Sequence, residues 1–266
     1  MTSPSTTDDT HDLRASAQLA LSCLDLTSLN EHDTEADIAR LCERAQGPFG
    51  PTAAVCVWPR LAAFARAQLP AHIAVAAVAN FPDGSADLER AVRDTGAIVQ
   101  SGAQEVDVVL PYKTLMAGDE RTAAQVLQAV RKACPGLLLK VILETGELKD
   151  VALIARASRL SLDAGADFLK TSTGKVPVSA TPEAARTMLS AIASDANAAP
   201  RVGFKPSGGI RTVADAAVYM ALHSELLGPQ ALTPKRFRIG ASSVLSDIEA
   251  ILGGRSAPPP ASAGTY

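Results

Sequence analysis

A chain of 266 residues, 47% hydrophobic and 20% charged with a net charge of −3, can bury a large core and is near the usual size of one α/β barrel. With 4% aromatic residues and no basic excess, it lacks the phosphate-neutralising charge and the stacking surface of a nucleic-acid binder, so no nucleic-acid partner is expected. The widely spaced Cys23, Cys42, Cys56 and Cys134 form no CxxC pair and no apolar leader opens the chain, which predicts a reducing, cytoplasmic location.

The first ten residues, MTSPSTTDDT, are polar and without apolar period, which predicts disorder over 1–10 and structure from His11, beginning with a short helix. Eight β-prone runs follow: LSCLDLT (21–27), AAVCVW (53–58), HIAVAAVA (72–79), EVDVVL (105–110), LLLKVILE (137–144), ADFLK (166–170), VGFK (202–205) and RFRIG (236–240). The greasiest region, AHIAVAAVANFP, is broken by His72, Asn80 and Pro82 short of the roughly 20 residues of a membrane helix, so no membrane partner is expected. Helical segments lie between the runs, with caps at Thr34 (Asp37 three residues on), Thr181 (Pro182 next) and Thr212 (Asp215 three residues on). Eight such units predict a single (β/α)8 TIM barrel over 11–253, followed by a mobile tail at 254–266 rich in Gly, Pro and Ser. A doubly wound open sheet is the alternative, weakened by the near-continuous apolar strands and by the lack of GxGxxG after the first strand.

Three lysines stand out. Lys170 and Lys205 end apolar strands, where barrels build their sites, and Lys140 lies inside a greasy one. Strand alternation puts Ala166 and Phe168 on one face with Lys170, and Gly203 with Lys205, small neighbours that leave room for a ligand. It also pairs Glu105 with Asp107, and Lys140 with Ile142 and Glu144, making Asp107 and Lys140 candidate partners. His11, His32, His72 and His223 have no metal-ligand spacing, so neither metal nor cofactor is expected and chemistry falls to lysine and carboxylate.

A lysine attacks a carbonyl only when neutral, and a pKa near 10.4 leaves well under 1% neutral at pH 7. Two ammoniums about 6 Å apart at an effective dielectric of about 20 repel by roughly 3 kcal/mol, or about two pKa units, and desolvation lowers the value further. A lysine pair on adjacent strands is therefore a device for making an imine. Repulsion alone leaves open which of the two is the nucleophile. A lone lysine is more simply read as paired with a carboxylate or reaching solvent.

The segments STGK, PSGGIRT and IGASS follow strands six, seven and eight, at the corner where barrels commonly bind a phosphate. Gly174, Gly208, Gly209, Ser242 and Ser243 are the expected donors, with a helix start near Ser243 adding its dipole. Lys175 follows Gly174 as in a P-loop, but the first glycine of GxxxxGK is missing, which removes a nucleotide reading.

With LDLTSLN, TAAVCVWP, NFPDG, EVDVVLPY, LMAGDE, LKVILETGELKD, GADFLKTSTGK, GFKPSGGIRT and GASS in that order, the sequence resembles the deoxyribose-phosphate aldolases of the longer bacterial type from about residue 12 to its end. The resemblance implies a metal-free class I aldolase of deoxynucleoside catabolism. It would cleave 2-deoxy-D-ribose 5-phosphate reversibly to D-glyceraldehyde 3-phosphate and acetaldehyde, as a homodimer. It makes Lys170 the imine-forming residue, Lys205 the perturbing cation, Asp107 the proton carrier through a water, and Lys140 the group that holds Asp107 ionised. Asp25 and Thr27 line the same pocket, and Cys56 lies where an unsaturated aldehyde could bridge it to the lysine. Tyr266, on the tail, matches the family's final proton donor. A sugar-phosphate-binding barrel without turnover, or another Schiff-base lyase on this fold, stays open beside this reading.

Overall fold

The computed structural model describes residues 6–254. Eight parallel strands, β1 (Leu24–Thr27), β2 (Ala54–Val57), β3 (Ala74–Ala79), β4 (Glu105–Val109), β5 (Leu138–Ile142), β6 (Phe168–Lys170), β7 (Gly203–Lys205) and β8 (Ile239–Ala241), pair in sequence order, and β8 returns beside β1. The seam between β7 and β8 is closed by two isolated bridges, Phe204 to Phe237 and Ser207 to Gly240. Pro206 brings no N–H to this seam, and its carbonyl accepts from Gly240 N at 2.9 Å instead. Every strand except the first residues of β3 and β5 is buried, as expected of parallel strands covered on both faces. The chain is thus a TIM barrel.

Helices α1 (Thr6–Ser22), α2 (Glu35–Arg44), α3 (Pro59–Gln68), α4 (Leu88–Gln100), α5 (Tyr112–Met116), α6 (Glu120–Ala133), α7 (Thr145–Leu148), α8 (Val151–Asp163), α9 (Pro182–Ser194), α10 (Val213–Leu227) and α11 (Val244–Leu252) precede, connect or follow the strands. The expected caps form: Thr34 with Asp37 and Thr212 with Asp215 are reciprocal capping boxes, and Thr181 accepts from Ala184 N beside Pro182. Asp87, Asp119 and Asp150 cap α4, α6 and α8 in the same way.

Three boundaries differ from expectation. The first described helix starts at Thr6 rather than at His11, and its Ala17, Ala20 and Leu21 are buried where it packs against α10 and α11. Leu21 and Ser22 therefore finish α1, and β1 starts only at Leu24. The last strand is Ile239–Ala241, because Arg236 and Phe237 form a turn and a single bridge at the seam. The tail from 255 lies outside the described residues.

Candidate active site

Adjacent strands in register set the charged side chains beside one another: Asp107 is the Cα partner of Lys140, and one layer nearer the strand ends Lys170 is the partner of Lys205. Asp107 is the hub. Its Oδ1 accepts from Lys140 Nζ at 2.7 Å, and its Oδ2 accepts from both Lys170 Nζ and Lys205 Nζ at 2.9 Å. Lys205 Nζ also reaches Asp25 Oδ2 at 2.5 Å, and Lys140 Nζ reaches Glu105 Oε2 at 2.5 Å. Arg238, just before β8, joins the far ends, donating to Asp25 Oδ1 at 2.6 Å and Glu105 Oε1 at 2.8 Å. All seven groups are buried, with Lys170 2% exposed.

These contacts separate the lysines. Burial lowers the pKa of any ammonium, but Asp107 with Glu105 reverses this at Lys140, and Asp107 with Asp25 reverses it at Lys205, so both are raised. Lys170 is lowered by burial: Asp107 opposes the shift, but Lys205 adds to it, and no second carboxylate bonds to Lys170 among the described residues. Burial would raise Asp25 and Asp107, yet the surrounding cations outweigh it and hold both below the ordinary carboxylate range. Lys170 is therefore the cation most easily made neutral, which pair repulsion alone could not decide.

The remaining expected residues divide. Cys56 is fully buried with Sγ 3.9 Å from Asp107 Oδ2, and burial, then Asp107, pushes its thiol up. Thr27 lies two residues beyond Asp25 and donates to the Asp25 carbonyl at 2.8 Å. The space left by Gly203 holds no ligand, because a Cβ there would meet the Phe168 ring at 2.4 Å. At the phosphate corner, Gly174 and Gly208 are close, a Cβ on Gly208 lying 3.5 Å from Gly174 Cα. The Gly208 amide, however, donates to the Gly240 carbonyl at 3.2 Å and so helps close the barrel. The amides of Gly174, Gly209, Ser242 and Ser243 have no acceptor among the described residues. Ser243 stands as N-cap of α11 with no side-chain cap bond. Tyr266 lies outside the described residues.

Arg238 went unread in the sequence. It closes the lower half of the network with Glu105, which strand alternation had already set on the face of Asp107. Glu144, at φ 58°, accepts from Thr173 N at 3.2 Å and Thr173 Oγ1 at 2.5 Å, tying the loops after β5 and β6 together. Burial raises its pKa. No group of His, Cys, Asp and Glu able to hold a metal occurs among the described residues, and no described helix is long and apolar enough to cross a membrane.

A buried lysine of lowered pKa beside a perturbing lysine and a low-pKa carboxylate, at the C-terminal ends of barrel strands, is equipped for carbonyl chemistry through an imine. The chain is 52% identical over 244 residues to a deoxyribose-phosphate aldolase of Agrobacterium fabrum, covering 91% of this chain and 93% of that one. Among solved structures, a deoxyribose phosphate aldolase from Aeropyrum pernix superposes with a TM-score of 0.69 at 26% identity, covering 93% of this chain and 98% of that one. A Toxoplasma gondii ME49 protein provisionally assigned the same name gives 0.84, covering 93% and 97%; at 23% identity that likeness shows the fold. The family model described as "DeoC/LacD family aldolase" matches residues 19–245, and the chain belongs to that family.

Proposed function

We propose that this chain is a class I aldolase that reversibly cleaves 2-deoxy-D-ribose 5-phosphate to D-glyceraldehyde 3-phosphate and acetaldehyde through an imine on Lys170. The observation that carries the reading is that, among the described residues, Lys170 alone of the interior cations has a single carboxylate partner. Neutral Lys170 Nζ adds to the aldehyde carbon of the open-chain sugar and loses water, giving a protonated imine that acts as an electron sink next to carbon 2. The hydroxyl on carbon 3 gives its proton through a water to Asp107, the bond between carbons 2 and 3 breaks, and glyceraldehyde 3-phosphate leaves. An Asp107 held below the ordinary range keeps that proton only briefly. The enamine is then protonated on carbon 2, and water hydrolyses the imine to acetaldehyde and free Lys170. The proton that left oxygen 3 is thus replaced on carbon 2, and no net proton is consumed.

Lys140 keeps Asp107 ionised and oriented, and Lys205 adds to the burial that lowers the pKa of Lys170. The resemblance assigns the protonation of the enamine to Tyr266. The substrate's phosphate is assigned to the amides of Gly174, Gly209, Ser242 and Ser243 and the start of α11, with Gly208 shaping the corner. We also propose a homodimer acting in cytoplasmic deoxynucleoside catabolism, on the resemblance; the Aeropyrum pernix structure is described as a tetramer, and sedimentation equilibrium distinguishes the two.

A coupled assay of glyceraldehyde 3-phosphate tests the activity. Release from deoxyribose 5-phosphate, with no comparable use of keto-acid or ketose donors, is the expected result. Folded protein that binds the sugar phosphate but releases no triose would establish the binding barrel instead.

A further inference from the structure

Arg238 enters the barrel interior just before β8, at the end opposite the strand ends that carry Lys170 and Lys205, and its surroundings are as specific as those of the lysines. Its Nη1 and Nη2 bond to Asp25 Oδ1 and Glu105 Oε1, Nη1 lies 3.3 Å from Glu105 Oε2, and Nε donates to the Pro234 carbonyl at 2.5 Å. The guanidinium carbon stands 5.8 Å from the centre of the Phe168 ring, which fills the space that Gly203 leaves open. An arginine cannot release its proton inside a protein, so this charge is permanent.

The ion-paired set of the interior is then four cations, Lys140, Lys170, Lys205 and Arg238, against three carboxylates, Asp25, Glu105 and Asp107. A buried cluster disfavours an unmatched charge, so one proton is best absent. Among the described residues Lys140 pairs with Glu105, Asp107 and, at 3.5 Å, Asp25, Lys205 and Arg238 each pair with two carboxylates, and Lys170 pairs with one that it shares.

We propose that Arg238 is a positioning residue whose permanent charge, held on Asp25 and Glu105, leaves Lys170 as the cation without a carboxylate of its own and hence as the site that gives up its proton. The proposal rests on Lys170 being the imine-forming residue and deepens that reading. The titratable groups facing Lys170 are Asp107 from β4, Lys205 from β7, Cys56 from β2 and Glu144 beyond β5, with Lys140 and Asp25 behind them. Those facing Arg238 are Asp25, Glu105 and Cys23, whose thiol burial pushes up to about 11. Both thiols are neutral near pH 7, and Glu144, whose carboxyl burial pushes up, bonds to Thr173 rather than to a cation of this set.

The test follows the rate of imine formation against pH, without requiring turnover. Protein is treated with acetaldehyde and cyanoborohydride across the neutral and alkaline range, and the reduced adduct on Lys170 is quantified by peptide mass spectrometry, with the adduct on exposed Lys113 as control. Arg238→Gln matches three cations to three carboxylates, so the pH of half-maximal rate rises by roughly one unit. Glu105→Gln removes a carboxylate and moves it down, and the double variant returns it toward wild type. If Arg238→Gln alone does not fold, the upward return from Glu105→Gln to the double variant reads the same effect. A purely structural Arg238 would weaken folding without reversing the sign of the shift. Profiles that coincide, or that move the same way in both single variants, overturn the proposal while leaving the imine on Lys170 intact. Absence of a Lys170 adduct in the wild type overturns that imine, and this proposal with it.

Discussion

Lys170 and Lys205, Cα partners on neighbouring strands, donate to the same oxygen of Asp107 at 2.9 Å each, so two ammonium positions converge on one carboxylate oxygen. Lys205 has Asp25 as a second anion and Lys170 has none among the described residues, and this asymmetry assigns them different roles. Replacing Lys205 by Met removes a repelling charge within roughly 6 Å of Lys170. The acid limb of the kcat/KM profile is expected to move alkaline by about two pH units, with about a hundredfold loss near pH 7. A profile of unchanged shape and lower height would assign Lys205 to substrate binding instead.

Asp107 receives all three lysines, so Asp107→Asn leaves three buried cations short of a partner. Removing one side of a buried ion pair costs about 3–5 kcal/mol of stability, and loss of a positioned proton carrier costs roughly a hundred- to ten-thousandfold in kcat. Denaturant unfolding and steady-state kinetics on one preparation separate the two losses. A kcat within a few-fold of wild type would remove Asp107 from proton transfer.

Cys56 Sγ lies 3.9 Å from the Asp107 oxygen that also receives Lys170. An unsaturated aldehyde condensed on Lys170 therefore brings its electrophilic carbon near the sulfur, although a raised thiol pKa slows the addition. Cys56→Met is expected to keep activity longer than wild type in concentrated acetaldehyde. Equal rates of loss would show that inactivation proceeds elsewhere.

His223 is fully buried on α10, donates Nε2–H to the Arg236 carbonyl at 3.1 Å, and has no partner for Nδ1 among the described residues. Burial pushes its pKa down to about 4. The folded value lies below the unfolded one near 6.5, so the neutral ring stabilises the fold fully above that pH and the stabilisation is lost as pH falls toward about 4. The separation corresponds to roughly 3 kcal/mol. Urea unfolding across this window should show a slope that His223→Gln largely removes; identical slopes would assign the acid sensitivity to other groups.

The barrel was legible because its signals are local. Apolar runs such as AVAAVA, and the caps at Thr34, Thr181 and Thr212, sit within a few residues of the structure they specify. Lys170, Lys205, Asp107 and Lys140 were legible for a related reason, since a charge inside an apolar strand is costly wherever that strand lies. The difference between Lys170 and Lys205 was not, because it depends on Asp25 crossing from β1. Arg238 stayed hidden because Arg236, two residues earlier with the same parity, turns outward to the carbonyls of Ala199 and Val202. The space over Gly203 was misread for the same reason: its occupant, Phe168, comes from the neighbouring strand.

The central claim is that Lys170, the singly partnered lysine, forms the imine. Protein incubated with deoxyribose 5-phosphate and borohydride, then digested and mapped by mass spectrometry, tests it most directly. A reduced sugar or ethyl adduct on Lys170, with Lys205 and Lys140 unmodified, is the expected result. An adduct on Lys205 would contradict the account, because the lysine bonded to two carboxylates would then be the nucleophile.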